Sequence, residues 1–179
     1  MRNRDLKIKV LEMDLSDCKF VSNTRIVIDD SLYTTEDFAI KYFRDKNWNV
    51  TRPVRDFSMF KKDLVHIINK EKKKHLKKIL DSIKNYKKPY LPAQRHGRKK
   101  GVAVLIPTLL GIPDFFMYKD WMIDENENYI FNPIYRFCEI KSQNMPISYN
   151  QIKWALDWNI PELYYVYIVQ QRREEKKDA

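Results

Sequence analysis

Two short apolar runs, each interrupted by charge, decide how this sequence folds: Gly-Ile-Pro-Asp-Phe-Phe-Met at 111–117 and Phe-Cys-Glu-Ile-Lys at 137–141. Both runs are rich in aromatic and branched side chains and predict β-strands. Successive side chains of a strand point to opposite faces of the sheet, so Glu139 and Lys141 share one face. Burying Asp114 or Glu139 beside apolar strands costs free energy unless a cation or a hydrogen-bond donor compensates the charge.

Two carboxylates that converge with a lysine are suited to a hard divalent cation such as Mg²⁺ or Mn²⁺, which prefers oxygen ligands. Such a cation polarises a phosphate and lowers the pKa of an attacking water. Lys141 would lie where it could orient that water or shield the developing negative charge. Each element also has a simpler explanation, because Glu139 and Lys141 suit an exposed ion-pair stripe and an Asp after a Pro is common in turns. The apolar flanks of both runs favour the site.

The order and spacing of these residues resemble a known signature. Pro113-Asp114, followed about 25 residues later by Glu139-Ile140-Lys141, resembles the PD-(D/E)XK motif of a large nuclease superfamily. With Gly111-Ile112 before it and Ser148 and Gln151 after it, the pattern is similar to the virus-type replication-repair (VRR-NUC) branch. It is similar, more distantly, to archaeal Holliday-junction resolvases. The resemblance implies a restriction-endonuclease-like core, an α/β fold in which helices flank a central mixed sheet.

The same resemblance implies roles for individual residues. Asp114 and Glu139 would be metal ligands, the backbone carbonyl of Ile140 would be a further ligand, and Lys141 would be catalytic. The superfamily often has an acid on the first core helix, which implies a catalytic role for Glu36. Asp37 is adjacent, however, and either acid also suits the exposed N-terminus of a helix.

Gln151 has two compatible interpretations. The resemblance implies a glutamine near the catalytic lysine, at this position. The run Ser148-Tyr149-Asn150-Gln151 is also a capping box, in which the fourth side chain returns a hydrogen bond to the backbone of the first residue. The sequence leaves both roles open.

The chain is predicted to form one domain over residues 1–170, followed by a charged tail at 171–179. The resemblance covers a core of about 32–54 and 95–170, and the basic helical segment at about 57–90 resembles an insertion. Apolar periodicity and capping residues predict the individual elements. The predicted helices are 34–46, 57–86 (one long helix or a pair) and 148–158. The predicted strands are 7–13, 24–29, 48–54, 102–110, 114–118, 135–140 and 163–169, with a turn at 124–133.

The positive charge is concentrated in one part of the chain. Residues 61–100 hold 15 Lys or Arg against three acids, whereas the whole chain has a net charge of +10, so the remainder is slightly acidic. A basic segment on such a body indicates a phosphate-binding surface, although a lysine-rich helix can also be simply a solvated face. The residues predicted to bind nucleic acid are Arg95, Arg98, Lys99 and Lys100 in a loop, with Lys73 and Lys77 on the helical segment.

Composition narrows the class of protein. No run of 18 apolar residues is present and the first residues are charged, so no membrane segment is expected and a cytoplasmic location is predicted. Cys18 and Cys138 match no zinc spacing. The site residues and the basic segment predict an Mg²⁺- or Mn²⁺-dependent nuclease, and the resemblance implies a DNA endonuclease that acts on structured or branched DNA in replication, repair or recombination.

Three points stay open. A homodimer would suit symmetrical cutting of two strands. The alternative function is a nucleic-acid-binding protein that keeps a nuclease-like fold without catalysis, and the intact Lys141 argues against it. Charge alone does not separate RNA from DNA as the substrate.

Overall fold

The computed structural model describes residues 9–13, 19–22, 25–71, 73–91, 104–123, 126, 129–142 and 145–169. The helices are α1 (Thr35–Asp45), α2 (Phe57–Glu71), α3 (Lys74–Ile83) and α4 (Tyr149–Asp157). The strands are β1 (Lys9–Met13), β2 (Lys19–Ser22), β3 (Arg25–Ile28), β4 (Ser31–Thr34), β5 (Asn49–Thr51), β6 (Tyr90–Leu91), β7 (Val104–Leu105), β8 (Phe115–Ile123), β9 (Tyr129–Ser142) and β10 (Tyr164–Val169). Short 3-10 helices occur at Pro107–Leu109 and Pro161–Leu163.

A five-stranded sheet with the order β1-β10-β9-β8-β5 forms the centre of the fold. Strands β1, β10 and β9 are parallel, whereas β8 runs antiparallel to both of its neighbours, β9 and β5. The sheet is therefore mixed, and with its helices the chain is an α/β protein, as predicted. Strands β2, β3 and β4 form a separate antiparallel sheet, and β6 pairs with β7.

Apolar side chains cover both faces of the central sheet. On one face, Phe116, Phe137 and Val166 pack with buried residues of α2, α3 and α4. On the other face, Phe115 and Cys138 pack with buried residues of α1 and β3. Side chains alternate between the faces along β8 and β9, so every second residue belongs to the α2–α3–α4 side.

Capping explains where α1 and α4 begin. The backbone N–H of Asp37 donates to the Thr34 hydroxyl at 3.1 Å, so α1 begins after Thr34, as predicted. The Ser148 hydroxyl accepts from the backbone N–H of Gln151, and the Gln151 side chain accepts from the backbone N–H of Ser148. This capping box starts α4, as predicted.

The basic segment at 57–90 forms a helical pair rather than one long helix. Its apolar residues recur at helical spacing on one side of each helix, and its lysines lie largely on the other side. The inward side chains are fully buried: Leu64, Ile67, Leu76, Ile79 and Ile83. The segment thus completes the core on one face of the sheet.

Two predicted elements differ from the structure by more than a shift of their ends. Residues 102–110 were predicted as a strand, but within the described part only Val104–Leu105 is extended, because Pro107 begins a 3-10 helix. The predicted turn at 124–133 is shorter, since Tyr129–Phe131 pair with Trp121–Ile123 and extend the β8–β9 hairpin. The aromatic and branched residues there favour pairing over a turn.

None of the helices in the described ranges combines the length and apolar character needed to cross a bilayer. The predicted tail at 171–179 lies outside the described residues.

Replacing Ile79 tests whether α3 is part of the core. Ile79 has no exposed surface, so Ile79→Ala should leave a cavity and lower the free energy of unfolding by roughly 2–5 kcal/mol. Lys78→Ala, at an exposed position on the same helix, should change it by less than about 0.5 kcal/mol. Urea denaturation measures both. Equal stabilities of the two variants would contradict the packing of α3 on the sheet.

Candidate active site

The pairing of β8 with β9 brings Asp114 opposite Glu139. Phe115, the first residue of β8, pairs with Cys138, and Asp114 and Glu139 are the next residues outward in that antiparallel register. The backbone N–H of Ile140 donates to Asp114 Oδ2 at 2.8 Å and holds this carboxylate against β9. Two acids separated by 25 residues in sequence thus lie at one end of the sheet.

Glu139 is almost completely buried, with an exposed fraction of 3%. Lys141 Nζ lies 2.7 Å from Glu139 Oε1, and the lysine side chain is itself largely buried. The second carboxylate oxygen, Oε2, is buried and has no hydrogen-bond partner within the described residues. Because a buried carboxylate oxygen without a partner is costly, this atom marks a place where a cation or a donor would be stabilising.

The pKa of Asp114 reflects the negative charge around it. Burial, followed by the negative charge of Glu139, raises the pKa of Asp114 to about 7. The Ile140 N–H and the Lys141 ammonium oppose this shift, and the charge of Glu36 adds to it. The site therefore contains more negative charge than its one ammonium neutralises, and a divalent cation would relieve the repulsion.

Glu36 lies in the first turn of α1. This helix packs on the face of the sheet opposite to α2, α3 and α4. Glu36 is half-buried and close enough to Asp114 to raise the pKa of that carboxyl. Within the described ranges, however, no three His, Cys, Asp or Glu side chains converge closely enough to hold a metal ion. Glu36 thus contributes its charge to the site, and its catalytic role stays a prediction.

The side chain of Gln151 is used in the capping box. Its Oε1 atom accepts from the backbone N–H of Ser148 at 2.8 Å. The first turn of α4 also contacts the loop that leads to Asp114, because a Cβ atom added at Gly111 would collide with the carbonyl oxygen of Asn150. Gln151 therefore caps α4, as the capping box predicted. The helix end that it caps packs against the loop before Asp114.

Tyr164 lies close to the carboxylates of Asp114 and Glu139, although it is not among the predicted site residues. It begins β10, its side chain is fully buried, and its hydroxyl has no hydrogen-bond partner within the described residues. Burial, and then the charges of Glu139 and Asp114, raise the pKa of this hydroxyl, so it lies near both carboxylates. Its only sequence signal is a phenol in a strand of otherwise core-like residues beside β9, which suits simple packing equally well.

The predicted nucleic-acid-binding residues are only partly described. Arg95, Arg98, Lys99 and Lys100 lie outside the described residues. Lys73 is the N-cap residue of α3, and Lys77 is exposed on the same helix. Their binding role stays a prediction.

Comparison of the chain with protein-family models, with curated proteins and with solved structures finds no match. The geometry of the site is therefore the basis for any functional assignment.

The raised pKa of Asp114 predicts a pH-dependent stability in the absence of metal. Between about pH 4, the pKa of Asp in an unfolded chain, and about pH 7, the folded state holds one more proton than the unfolded state. The free energy of unfolding therefore falls as the pH rises through this window. Asp114→Asn removes the titration and keeps an oxygen for the Ile140 N–H.

We expect Asp114→Asn to gain stability relative to the wild type as the pH rises from 5 to 8, by roughly 1–3 kcal/mol in total. Urea denaturation in EDTA at several pH values measures the difference. Parallel curves for the two proteins would contradict a raised pKa of Asp114 in the folded state.

Gly111 provides a second structural test of the site. Its φ of +84° strains any L side chain, and an added Cβ would collide with the backbone of Asn150. Gly111→Ala should lower the free energy of unfolding by roughly 1–3 kcal/mol from the backbone strain alone. Leu110→Ala, at an exposed neighbouring position, should cost less than about 1 kcal/mol. Equal thermal midpoints for these two variants would show that the loop does not contact α4 as described.

Proposed function

We propose that this protein is a metal-dependent phosphodiesterase that cleaves DNA, with Asp114, Glu139 and Lys141 as its active site. The observation that carries the proposal is the buried, unpartnered Oε2 atom of Glu139, on the sheet end that Asp114 also occupies. In most proteins the polar atoms of a buried side chain each have a hydrogen-bond partner. Here the lysine takes one oxygen and leaves the other available.

The residues present fit a divalent cation. Asp114 and Glu139 supply hard carboxylate oxygens, which Mg²⁺ and Mn²⁺ prefer, and the backbone carbonyl of Ile140 would be a further ligand. When bound, such a cation supplies Lewis-acid polarisation of the scissile phosphate and a more acidic water. The raised pKa of Asp114 means that cation binding competes with a proton, so we expect metal affinity to fall below about pH 7.

The chain's own groups would have distinct tasks. The Ile140 N–H fixes one oxygen of Asp114, so the carboxylate is oriented before any ligand binds. Lys141 holds Glu139 through one oxygen and brings a positive charge to a site where charge develops on phosphate oxygens. Burial of these groups keeps the local dielectric low and strengthens each of these interactions. The Tyr164 hydroxyl lies near both acids and would donate a hydrogen bond to one of their carboxylates or to a bound water.

The arrangement of the elements supports a restriction-endonuclease-like core. Around the site, the chain passes in order through α1, β5, β8, β9, α4 and β10. This is the order of helix, strand, strands, helix and strand that the sequence predicted, with α2 and α3 inserted after β5. The basic character of the chain favours a polyanionic substrate, and we propose DNA that is structured or branched.

Cleavage assays test the proposal directly. The wild type should cut at least one of plasmid, single-stranded, flap and four-way-junction DNA in Mg²⁺ or Mn²⁺, and not in EDTA. Asp114→Asn, Glu139→Gln and Lys141→Met should each lower the rate by at least about 100-fold, the scale expected when a charge-stabilising group is removed. A matched RNA set identifies the preferred nucleic acid.

Asp120→Asn is the matched control. Asp120 lies on β8, six residues after Asp114, and its carboxylate is hydrogen-bonded to His66 of α2. It should keep most of the activity. The enzyme proposal fails if the wild type cleaves none of these substrates. If DNA binding is then also unaffected by metal and by the Asp114 substitution, the protein is a non-catalytic nucleic-acid-binding protein.

A further inference from the structure

A groove follows the outer edge of β5, and none of the residues that the sequence predicted for nucleic-acid binding line it. One cavity of about 600 Å³ is bounded by the end of α1, by β5 and the turn after it, by the first turn of α2 and by the segment after α3. A second cavity of about 570 Å³ continues it along β5 towards Trp48 and Tyr118. Both cavities share Arg44, Val50, Thr51 and Met59. We call the pair the β5 groove.

The first cavity is strongly basic. Its lining contains five basic residues, Arg44, Arg52, Arg55, Lys87 and Lys88, and one acidic residue, Asp56. Asp56 is paired with Arg52, at 3.2 Å between carboxylate oxygen and Nε. The other four basic side chains are exposed and form no ion pair with the described residues. Like charges collected on a concave surface attract a polyanion and focus its field.

Positive charge continues at the far end of the groove. Lys119 Nζ lies 5.1 Å from the centre of the Trp48 ring, and the Arg136 guanidinium lies 4.8 Å from it. Burial, and then the neighbouring charges of Arg136 and Lys46, lower the pKa of Lys119. The second cavity itself is lined by Arg44, by Trp48 and by one acid, Asp63, which is buried and accepts a hydrogen bond from the Thr51 hydroxyl. The Trp48 ring with two cations beside it can stack on a base while the cations bind phosphate.

The groove runs towards the carboxylates. Thr51, the last residue of β5, pairs with Phe116, two residues after Asp114 on the neighbouring strand. Two residues of strand span about 7 Å, so the basic residues that follow Thr51 lie at the same end of the sheet as the site. Arg52 also contacts Asp37 at 3.5 Å, next to Glu36 in the first turn of α1.

We propose that the β5 groove binds the sugar–phosphate backbone of the nucleic acid whose scissile phosphate reaches Asp114 and Glu139. This inference rests on the proposed function and adds the route by which the substrate approaches. The groove offers lysine and arginine side chains, which bind phosphates without reading sequence. Its ligand is therefore a backbone rather than a particular base, with DNA as the source.

Charge reversal in the groove tests this assignment. Arg55→Glu/Lys88→Glu is compared with Lys62→Glu/Lys78→Glu, which changes the net charge equally at exposed positions on the outer sides of α2 and α3. Binding of fluorescein-labelled duplex DNA, long enough to span both cavities, is followed by anisotropy in EDTA over a series of salt concentrations around the physiological value. An RNA duplex of the same length forms a second arm. Circular dichroism and thermal midpoints verify that all variants are folded.

The groove variant should raise Kd for DNA at least about tenfold at physiological salt. It should also reduce the slope of log Kd against log salt by about two, because each reversed side chain leaves one phosphate without its cation. The α2–α3 variant should raise Kd less than about threefold. Equal increases in Kd for both variants, or no salt-dependent binding by the wild type, would show that the β5 groove is not the DNA-binding surface. A groove-dependent increase with RNA alone would support backbone binding and overturn DNA as the source.

The two proposals fail separately. Binding is measured without metal, so groove-dependent binding by a protein that cuts nothing would overturn only the nuclease. Conversely, if the wild type cleaves DNA in Mg²⁺ while the groove variant binds DNA as tightly as the wild type, only the assignment of the groove is overturned.

Discussion

The repulsion between a buried carboxylate, Glu139, and a half-buried one, Asp114, is the constraint on which the rest of this structure depends. Asp114 and Glu139 face each other across β8 and β9, and one ammonium, that of Lys141, offsets them. A fold optimised only for stability would replace such a pair with apolar residues, which are often neutral or better in a core. In this chain a hydrogen bond and an ion pair offset part of the repulsion, and both faces of the surrounding sheet are packed with apolar side chains.

Several distant segments are arranged around this pair. Gly111 lets the loop before Asp114 contact the first turn of α4, and the capping box fixes where that helix begins. On the other face, α1 brings Glu36 towards the same carboxylate. Strand β5 and its basic groove approach from the sheet edge. Chemistry and substrate approach would therefore depend on one short stretch of strand pairing, and small changes in register would disturb both.

Much of the fold could be predicted because its signals are local. Thr34 and Ser148 indicate the starts of α1 and α4 through side-chain hydrogen bonds within one turn, and the apolar spacing of α2 and α3 needs no tertiary information. The sequence also placed Asp114, Glu139 and Lys141 together as candidates. It could not find Tyr164 or the β5 groove, because these depend on which strands become neighbours. The strand predicted at 102–110 failed since Pro107 outweighs the apolar run around it.

The parallel pairing of β1 with β10 carries a consequence for how the protein is made. These strands occupy neighbouring positions in the sheet although Lys9 and Tyr165 are 156 residues apart. Pairings of such separation form late and slow the folding of a domain. During synthesis the β1 segment stays unpaired with β10 until the 156 residues from Lys9 to Tyr165 have been made. A nascent chain would thus hold an unpaired strand while the residues between β1 and β10 are made, and such unpaired strands are prone to aggregate.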